Sequence, residues 1–400
     1  MSDFVSDYLK HTSIYESSTS FWKWSSYVAI AAVLRDNCYR RLGEVYIYPN
    51  IYVLLLAESA THRKGNPVNL CEKLVGSIKN TKVISGRTSI QAVLDELSRG
   101  ETDAKTGKIL KGGSALFSAP ELSAGIVSDQ EAVKILTDIY DFREEYTSRL
   151  RGAGSFKIYN VCFSMMAASN LELLKSVYDS GAIFGGLLGR TFLVKPNEFR
   201  ESKSLFDVSD RTASFDSLRD KLLEFSKLKG EFTFTKQAVK EYESWYKPFR
   251  DSYKNANDKS GISGRIHISI VKLSMILGVN YLQELVVDKA QMEEAIEESM
   301  ALIPNYQTFI MSGGTSPIAE VGAIVLQELA EAEDHILTRK ELLRRHWQKF
   351  DAETLDKLII TVEQAGYLKV IPIPGGSGYA YQMTKKAVNQ LFGKDKPTDG

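Results

Sequence analysis

The stretch Asn50 to Leu56 constrains this chain more than any other. It is rich in Leu, Val, Ile and Tyr, as expected of a buried strand in a mostly parallel sheet. It breaks abruptly into the small and polar residues Ala57 to Thr61. The basic pair Arg63-Lys64 follows, then Gly65 and Pro67, and a helical pattern opens with Val68, Leu70, Cys71, Leu74 and Val75. A strand, a turn of small residues with a lysine, and a helix is the layout of a phosphate-binding loop. N–H groups at the helix start face an anion, and the lysine adds a mobile positive charge. Against the pattern G-x-x-x-x-G-K-[ST], Glu58 and Arg63 occupy the glycine positions and Gly65 the hydroxyl position. The candidate cradle is Ser59, Ala60, Thr61, His62, Arg63, Lys64, Gly65 and Asn66. The alternative is a plain strand-to-helix loop with an exposed basic pair.

The 400 residues suffice for two or three domains with proper cores. Lys+Arg and Asp+Glu each number 50, so any contact with nucleic acid must come from local basic patches. Cys38, Cys71 and Cys162 lie far apart and read as thiols of a reducing compartment, with no Cys/His spacing for zinc. Met1-Ser-Asp-Phe lacks a basic leader, and no apolar run is long enough to span a bilayer. The expectation is a cytoplasmic protein with no membrane partner and no protein-held metal centre.

Residues 1–47 read as a helical lead-in, with a core-facing stripe from Phe21 to Val33 and a hairpin around Leu42-Gly43-Glu44. Lys82 to Gly86 is a second short strand, and a helix carrying Ile90, Val93, Leu94 and Leu97 follows. Ser114 to Ser118 is the next buried strand, ending in Ala119-Pro120-Glu121-Leu122. In P-loop ATPases a neighbouring parallel strand finishes in acids that organise Mg²⁺ and polarise the attacking water. Here Glu121 is the single acid, and Pro120 stands where the metal-organising aspartate is expected; a surface glutamate after a proline is the alternative. Ala132 to Tyr146 is amphipathic and acidic, and a basic, glycine-rich turn follows from Arg149 to Gly154. Arg149 and Arg151, beside Gly152 and Gly154, are candidates for touching a nucleic-acid backbone, or they belong to a solvated loop.

Ile158 to Met166 is a long apolar strand leading to Asn170, a candidate sensor of the terminal phosphate or else a helix cap. Arg190, between a glycine-punctuated helix and the strand to Val194, is a candidate for stabilising charge in the transition state. An ion pair with an acid such as Glu198 is its alternative. Residues 197–215 are polar and broken, a domain junction, and from Phe215 to Phe309 the pattern is helical apart from the short strand-like run Glu231 to Thr235, for which Leu285 to Val287 is the candidate pairing partner. Arg265 opens a long apolar helix and needs an anionic partner, phosphate or carboxylate. After the linker Met311 to Pro317, three helices and a glycine-tipped hairpin make a winged helix-turn-helix. Thr338-Arg-Lys-Glu341 is a capping box and Asp351 a cap. The recognition-position helix offers Lys357 against Glu353, Asp356 and Glu363, so DNA and protein are both open as its partner.

Taken together, Trp22-Lys-Trp24, Tyr48-Pro-Asn-Ile-Tyr-Val, Arg63-Lys64-Gly65, Ala119-Pro-Glu-Leu122, Ala167-Ala-Ser-Asn170 and Gly185-Gly-Leu-Leu-Gly-Arg190-Thr resemble the AAA+-like P-loop ATPases of phages and mobile elements, the helicase-like proteins found with primases. The likeness covers about residues 15–200 and weakens through 215–310. It implies an α/β fold: a helical segment (1–47), an AAA+-like P-loop core (48–205), a helical lid (206–310) and a winged helix (318–393). It further implies ATP and Mg²⁺ as cofactors and a homo-oligomeric ring, a hexamer, that moves single-stranded DNA through its channel. Duplex DNA through the winged helix, and a primase or other replication protein, are the further implied partners. Residue by residue it makes Lys64 the phosphate-binding lysine, Glu121 the catalytic base, Asn170 the sensor, Arg190 the arginine finger and Arg265 the lid arginine. The chain departs from the family at both Mg²⁺ contacts, since Gly65 follows Lys64 and Pro120 precedes Glu121. A replication initiator or helicase loader, with the core as a scaffold, is therefore the rival to an ATP-driven motor. Ser59, Thr61 or Asp138 would be the substitutes for the missing contacts.

Overall fold

In chain order the computed structural model runs α1 (Phe4–His11), α2 (Thr19–Leu34), a hairpin of β1 (Cys38–Leu42) and β2 (Val45–Ile47), β3 (Tyr52–Leu56), α3 (Gly65–Gly76), β4 (Val83–Ser85) and α4 (Ile90–Ser98). The short pair β5 (Glu101–Thr102) and β6 (Ile109–Lys111) precedes β7 (Ser114–Ala119), α5 (Gln130–Asp138), β8 (Arg143–Leu150), β9 (Gly154–Ser169), α6 (Ile183–Leu188) and β10 (Thr191–Val194). Then come α7 (Phe215–Phe225), β11 (Gly230–Glu231), β12 (Thr233–Phe234), α8 (Lys236–Tyr253), α9 (Ile266–Leu282), β13 (Val286–Val287) and α10 (Lys289–Ala301). The structure describes residues 3–58, 61–86, 88–99, 101–102, 109–111, 113–122, 129–141, 143–150, 154–170, 183–201, 214–253, 261–306, 317–373, 378–385 and 387–388. Met1–Ile310 and Met311–Gly400 form separate units.

The first unit is a mixed α/β layer structure around a parallel sheet in the order β10-β3-β9-β7-β4. All five residues of β3 are buried, which is why the run lacks polar alternation: a strand covered on both faces needs none. The helix α2 is apolar nearly all round and buried from Phe21 to Leu34 apart from Lys23, as a helix inside a core must be. It packs on β3, β7, β9, β10 and α3, with Trp24 against Phe192 at 4.6 Å between ring centres. The Tyr52 hydroxyl donates to the Leu136 carbonyl at 3.0 Å, which ties α5 to the start of β3.

One local expectation is corrected. The amphipathic stretch from Ala132 divides into a helix that ends at Asp138 and the strand β8, antiparallel to the first half of β9, and β8 takes in Arg149, expected in a turn. Pairing with a long neighbouring strand decides the conformation here. Beyond the sheet, β12 pairs with β13, Thr233 opposite Val286, and Asp288 caps α10 with a capping box completed by Gln291.

The second unit contains α11 (Pro317–Glu331), β14 (Ile336–Thr338), α12 (Arg339–His346), α13 (Ala352–Gln364), β15 (Leu368–Pro372) and β16 (Tyr379–Met383). Its strands form an antiparallel sheet in the order β14-β16-β15. Val325, Leu329, Leu342, Leu355, Leu358 and Leu368 make the core. Thr338 and Glu341 form the capping box of α12, and Asp351 caps α13.

Candidate functional site

In the sheet order, the strand after β3 is β4 at one end of the row, and the strand after β9 is β10 at the other end, beyond β3. Neighbouring strands whose connections part in this way open a crevice at their C-terminal ends, where open α/β sheets bind ligands. The register places Leu56 opposite Ser169, and Ala119 opposite Ala167. Beyond the strands, the Leu122 amide donates to Ala168 at 2.7 Å and the Ala57 amide to Ser169 at 3.4 Å. Ala57, Asn170 and Glu121 thus follow the ends of β3, β9 and β7 along one edge. Asn170 is half-buried and Glu121 exposed.

The Lys64 loop reaches this edge. A β-carbon built on Gly65 would lie 3.9 Å from the Pro120 Cβ, so Lys64 and Glu121 each stand one residue from a contact. Deeper down, the buried Ser118 hydroxyl donates to Glu72 of α3 at 2.7 Å and fixes the helix against β7. Lys64 precedes α3 and its Nζ donates to the Glu58 carbonyl at 3.4 Å. The helix carries neither a side-chain cap nor an acid in its first turn, which leaves its positive end open to an anion. Two features reduce the cradle: Pro67 has no N–H, and the Asn66 amide donates to the Arg63 carbonyl at 3.0 Å. Thr61 donates to Glu58 at 3.1 Å. Arg63, at φ 43°, turns away to pair with Glu16 at 2.7 Å. His62 is buried against Phe199 at 4.1 Å, and burial lowers its pKa although Glu58 opposes the shift. Ser59 and Ala60 lie outside the described residues.

Arg190 and Arg265 are brought together with each other and not with Lys64. Arg190 precedes β10, whose first residue Thr191 pairs with Tyr52, so it lies at the opposite edge, about 13 Å away along the strands at 3.3 Å per residue. It is 8% exposed and bonds Asp141 at 3.0 Å and the Gly186 carbonyl at 2.9 Å. Its partner is Asp141, whereas Glu198 bonds Thr19. Arg265, half-buried before α9, faces Arg190, Asp141 and Tyr140. Asp138 ends α5 near the Tyr140 carbonyl, which holds Asn50 at 2.7 Å ahead of β3, so it too belongs to this edge and not to the Lys64 loop.

Residues that the sequence reading did not single out complete this second cluster. Lys272, within the apolar α9, is buried, donates to Asn50 at 2.8 Å and lies 4.0 Å from the centre of the Tyr140 ring. A lone lysine in an apolar helix was the available signal; its partner, 222 positions earlier in the chain, was not. Burial lowers its pKa to about 8 against the opposing pull of Asp141.

Of the candidate nucleic-acid contacts, Arg149 is exposed on β8, Arg151 lies outside the described residues, and Lys357 on α13 is exposed and paired to Glu353 at 2.7 Å. Among the described residues no three His, Cys, Asp or Glu side chains gather as metal ligands, and no helix is long and apolar enough to cross a membrane. No protein-family model matches the chain, and no curated protein matches it.

Proposed function

We propose that the chain is an ATP-driven DNA motor, a ring-forming helicase or helicase-like ATPase of a phage or mobile genetic element acting in the cytoplasm. The observation that carries the reading is the approach of Gly65 to Pro120 at the strand-end crevice, which draws Lys64, Glu121 and Asn170 to one edge of a parallel sheet. Lys64 and the open start of α3 suit the phosphates of ATP as substrate. Glu121, exposed beside them, suits a base that takes the proton of the attacking water, and Asn170 suits orienting that water. The edge does not fit the usual protein contacts to Mg²⁺, because Gly65 and Pro120 offer no side-chain oxygen; no step is assigned to that ion. In this reading the core is an AAA+-like P-loop ATPase, 206–310 its lid and 318–393 a winged helix. A hexameric ring around single-stranded DNA and a primase partner belong to the same reading.

The test is turnover. Wild type should hydrolyse ATP faster with single-stranded DNA present, and Lys64→Ala should lose at least tenfold in rate, which is about 1.4 kcal/mol in the barrier. Equal background rates in the two proteins would end the motor reading.

Two observations favour the second reading, an initiator or helicase loader with a scaffold core. The first turn of α3 has given up two of its donors, one to Pro67 and one to the Arg63 carbonyl. The exposed face of α13 carries Glu353, Asp356 and Glu363 around the exposed Ile360, a surface better suited to a protein than to a phosphate backbone. That reading predicts partner binding that survives Lys64→Ala and is lost on deleting 318–400.

A further inference from the structure

A second concentration of positive charge lies at the edge opposite the Lys64 loop, around the start of α9. Burial lowers the pKa of Arg265, and the neighbouring charge of Arg190 lowers it further against the pull of Asp141 and Tyr140. His267, two residues on, faces both Arg250 of α8 and Arg265, and its pKa is lowered by burial and then by those two charges. Asp141 is the carboxylate that faces Arg190, Arg265 and Lys272 alike, and Arg190 already holds it at 3.0 Å. Three cations thus face Asp141.

Aromatic rings adjoin this charge. His267 stacks on Tyr246 at 5.2 Å, Tyr246 on Tyr242 at 5.4 Å, and Trp245 on Phe249 at 4.9 Å. These rings are half-buried, whereas Arg250, on the same helix, is exposed, and Lys247 is exposed but paired with Glu243 at 3.5 Å. A buried Nδ1 of His267 and a buried Nε of Arg190 have no hydrogen-bond partner among the described residues.

We propose that this face, with Arg250 and Arg265 beside Tyr246 and His267, is where single-stranded DNA lies on the protein. Cations at intervals meet successive phosphates, and half-exposed rings accept bases without choosing among them. A duplex keeps its bases stacked inside and gains nothing from the rings. The choice of DNA rests on the motor reading above; the charge and ring geometry do not.

The experiment is fluorescence anisotropy of labelled oligo-dT with the full chain, without nucleotide, across a salt series. Tyr246→Leu should weaken binding by about 5- to 100-fold, the range for one stacked base. Arg250→Gln should flatten the slope of log affinity against log salt by about 0.7, the value for one phosphate on a single strand. Arg250→Lys should restore that slope. Urea transitions matching wild type would establish that the variants are folded. Unchanged affinity and slope in both variants would overturn the assignment, as would wild-type binding confined to duplex DNA or to oligo-U. Loss of oligo-dT binding in Tyr246→Leu, together with undiminished turnover in Lys64→Ala, would remove the motor reading and leave this surface standing.

Discussion

Gly65 and Pro120, 55 positions apart in the chain, meet where the end of β7 passes the start of α3: a β-carbon on the glycine would come 3.9 Å from the proline Cβ. That is ordinary van der Waals contact, so the position admits a small side chain. What it admits at the open end of a helix depends on charge.

Gly65→Asp is expected to move stability and binding in opposite directions. An acid in the first turn of α3 gains about 0.3–1 kcal/mol from the helix dipole, and loss of glycine freedom in the unfolded chain adds to it. The same carboxylate repels an incoming phosphate. Urea unfolding should therefore show an equal or higher midpoint, while titration with a fluorescent ATP analogue shows no binding. Wild-type affinity in this variant would detach the helix start from phosphate recognition.

The Arg190–Asp141 pair sets a second expectation. The guanidinium is 8% exposed and the carboxylate side chain 51% exposed. Breaking a fully buried pair costs about 3–5 kcal/mol, and water at the half-exposed acid reduces this to about 1–2 kcal/mol for Asp141→Ala. Arg190→Met removes the charge together with the guanidinium contact 5.9 Å over the Tyr140 ring, but it leaves no buried cation without its acid, so it should cost less than Asp141→Ala does. Urea denaturation of both variants decides it; the reverse ranking would mean that the arginine is held by Gly186 and its packing.

These two cases mark what was legible in the sequence. That Glu121 and Asn170 follow strand ends, and that Lys64 opens the helix after one such strand, could be read because parallel strands deliver their C-terminal ends to one edge whatever the order of the strands. The caps at Asp288, Thr338 and Asp351 could be read because their bonds close within three residues. The partner of Arg190 could not: Glu198 was the nearby acid, but Asp141, 49 positions earlier, makes the bond. Nor could Arg143 to Leu150 be recognised as a strand, since its conformation comes from pairing with β9 and not from its own pattern. The same limit hid the bond between Lys272 and Asn50, whose partners lie 222 positions apart.

Lys357 gives an expectation for the second unit. Its ammonium bonds Glu353 at 2.7 Å, and Asp356 on the same helix takes both prongs of Arg339 at 2.9 Å. A lysine held by a neighbouring acid adds little to phosphate binding. Lys357→Ala should change duplex-DNA affinity by less than about twofold, well short of the loss of a bidentate base contact at about 1–3 kcal/mol. Gel-shift titration with the full chain measures this, and a tenfold loss would put α13 on DNA.

Lys272 makes folding stability depend on pH with a sign that can be worked out. Burial lowers its pKa from an ordinary 10.5 to about 8, against the pull of Asp141. Below pH 8 both states carry the proton, and the folded state bears the full cost of a buried charge. Between the two values the unfolded chain keeps a proton that the folded chain has released, so stability rises with pH. From pH 7 to pH 9 the gain is on the order of 1 kcal/mol. From about pH 8 upward the buried thiols of Cys38, Cys71 and Cys162, all raised by burial, oppose it, because the unfolded chain loses their protons first. Lys272→Met removes the lysine contribution and leaves the thiols. The difference in unfolding free energy, wild type minus variant, should therefore climb by about 1 kcal/mol between pH 7 and pH 9 in urea titrations. Parallel profiles would show that Lys272 keeps its proton throughout, held by Asn50 and the face of Tyr140.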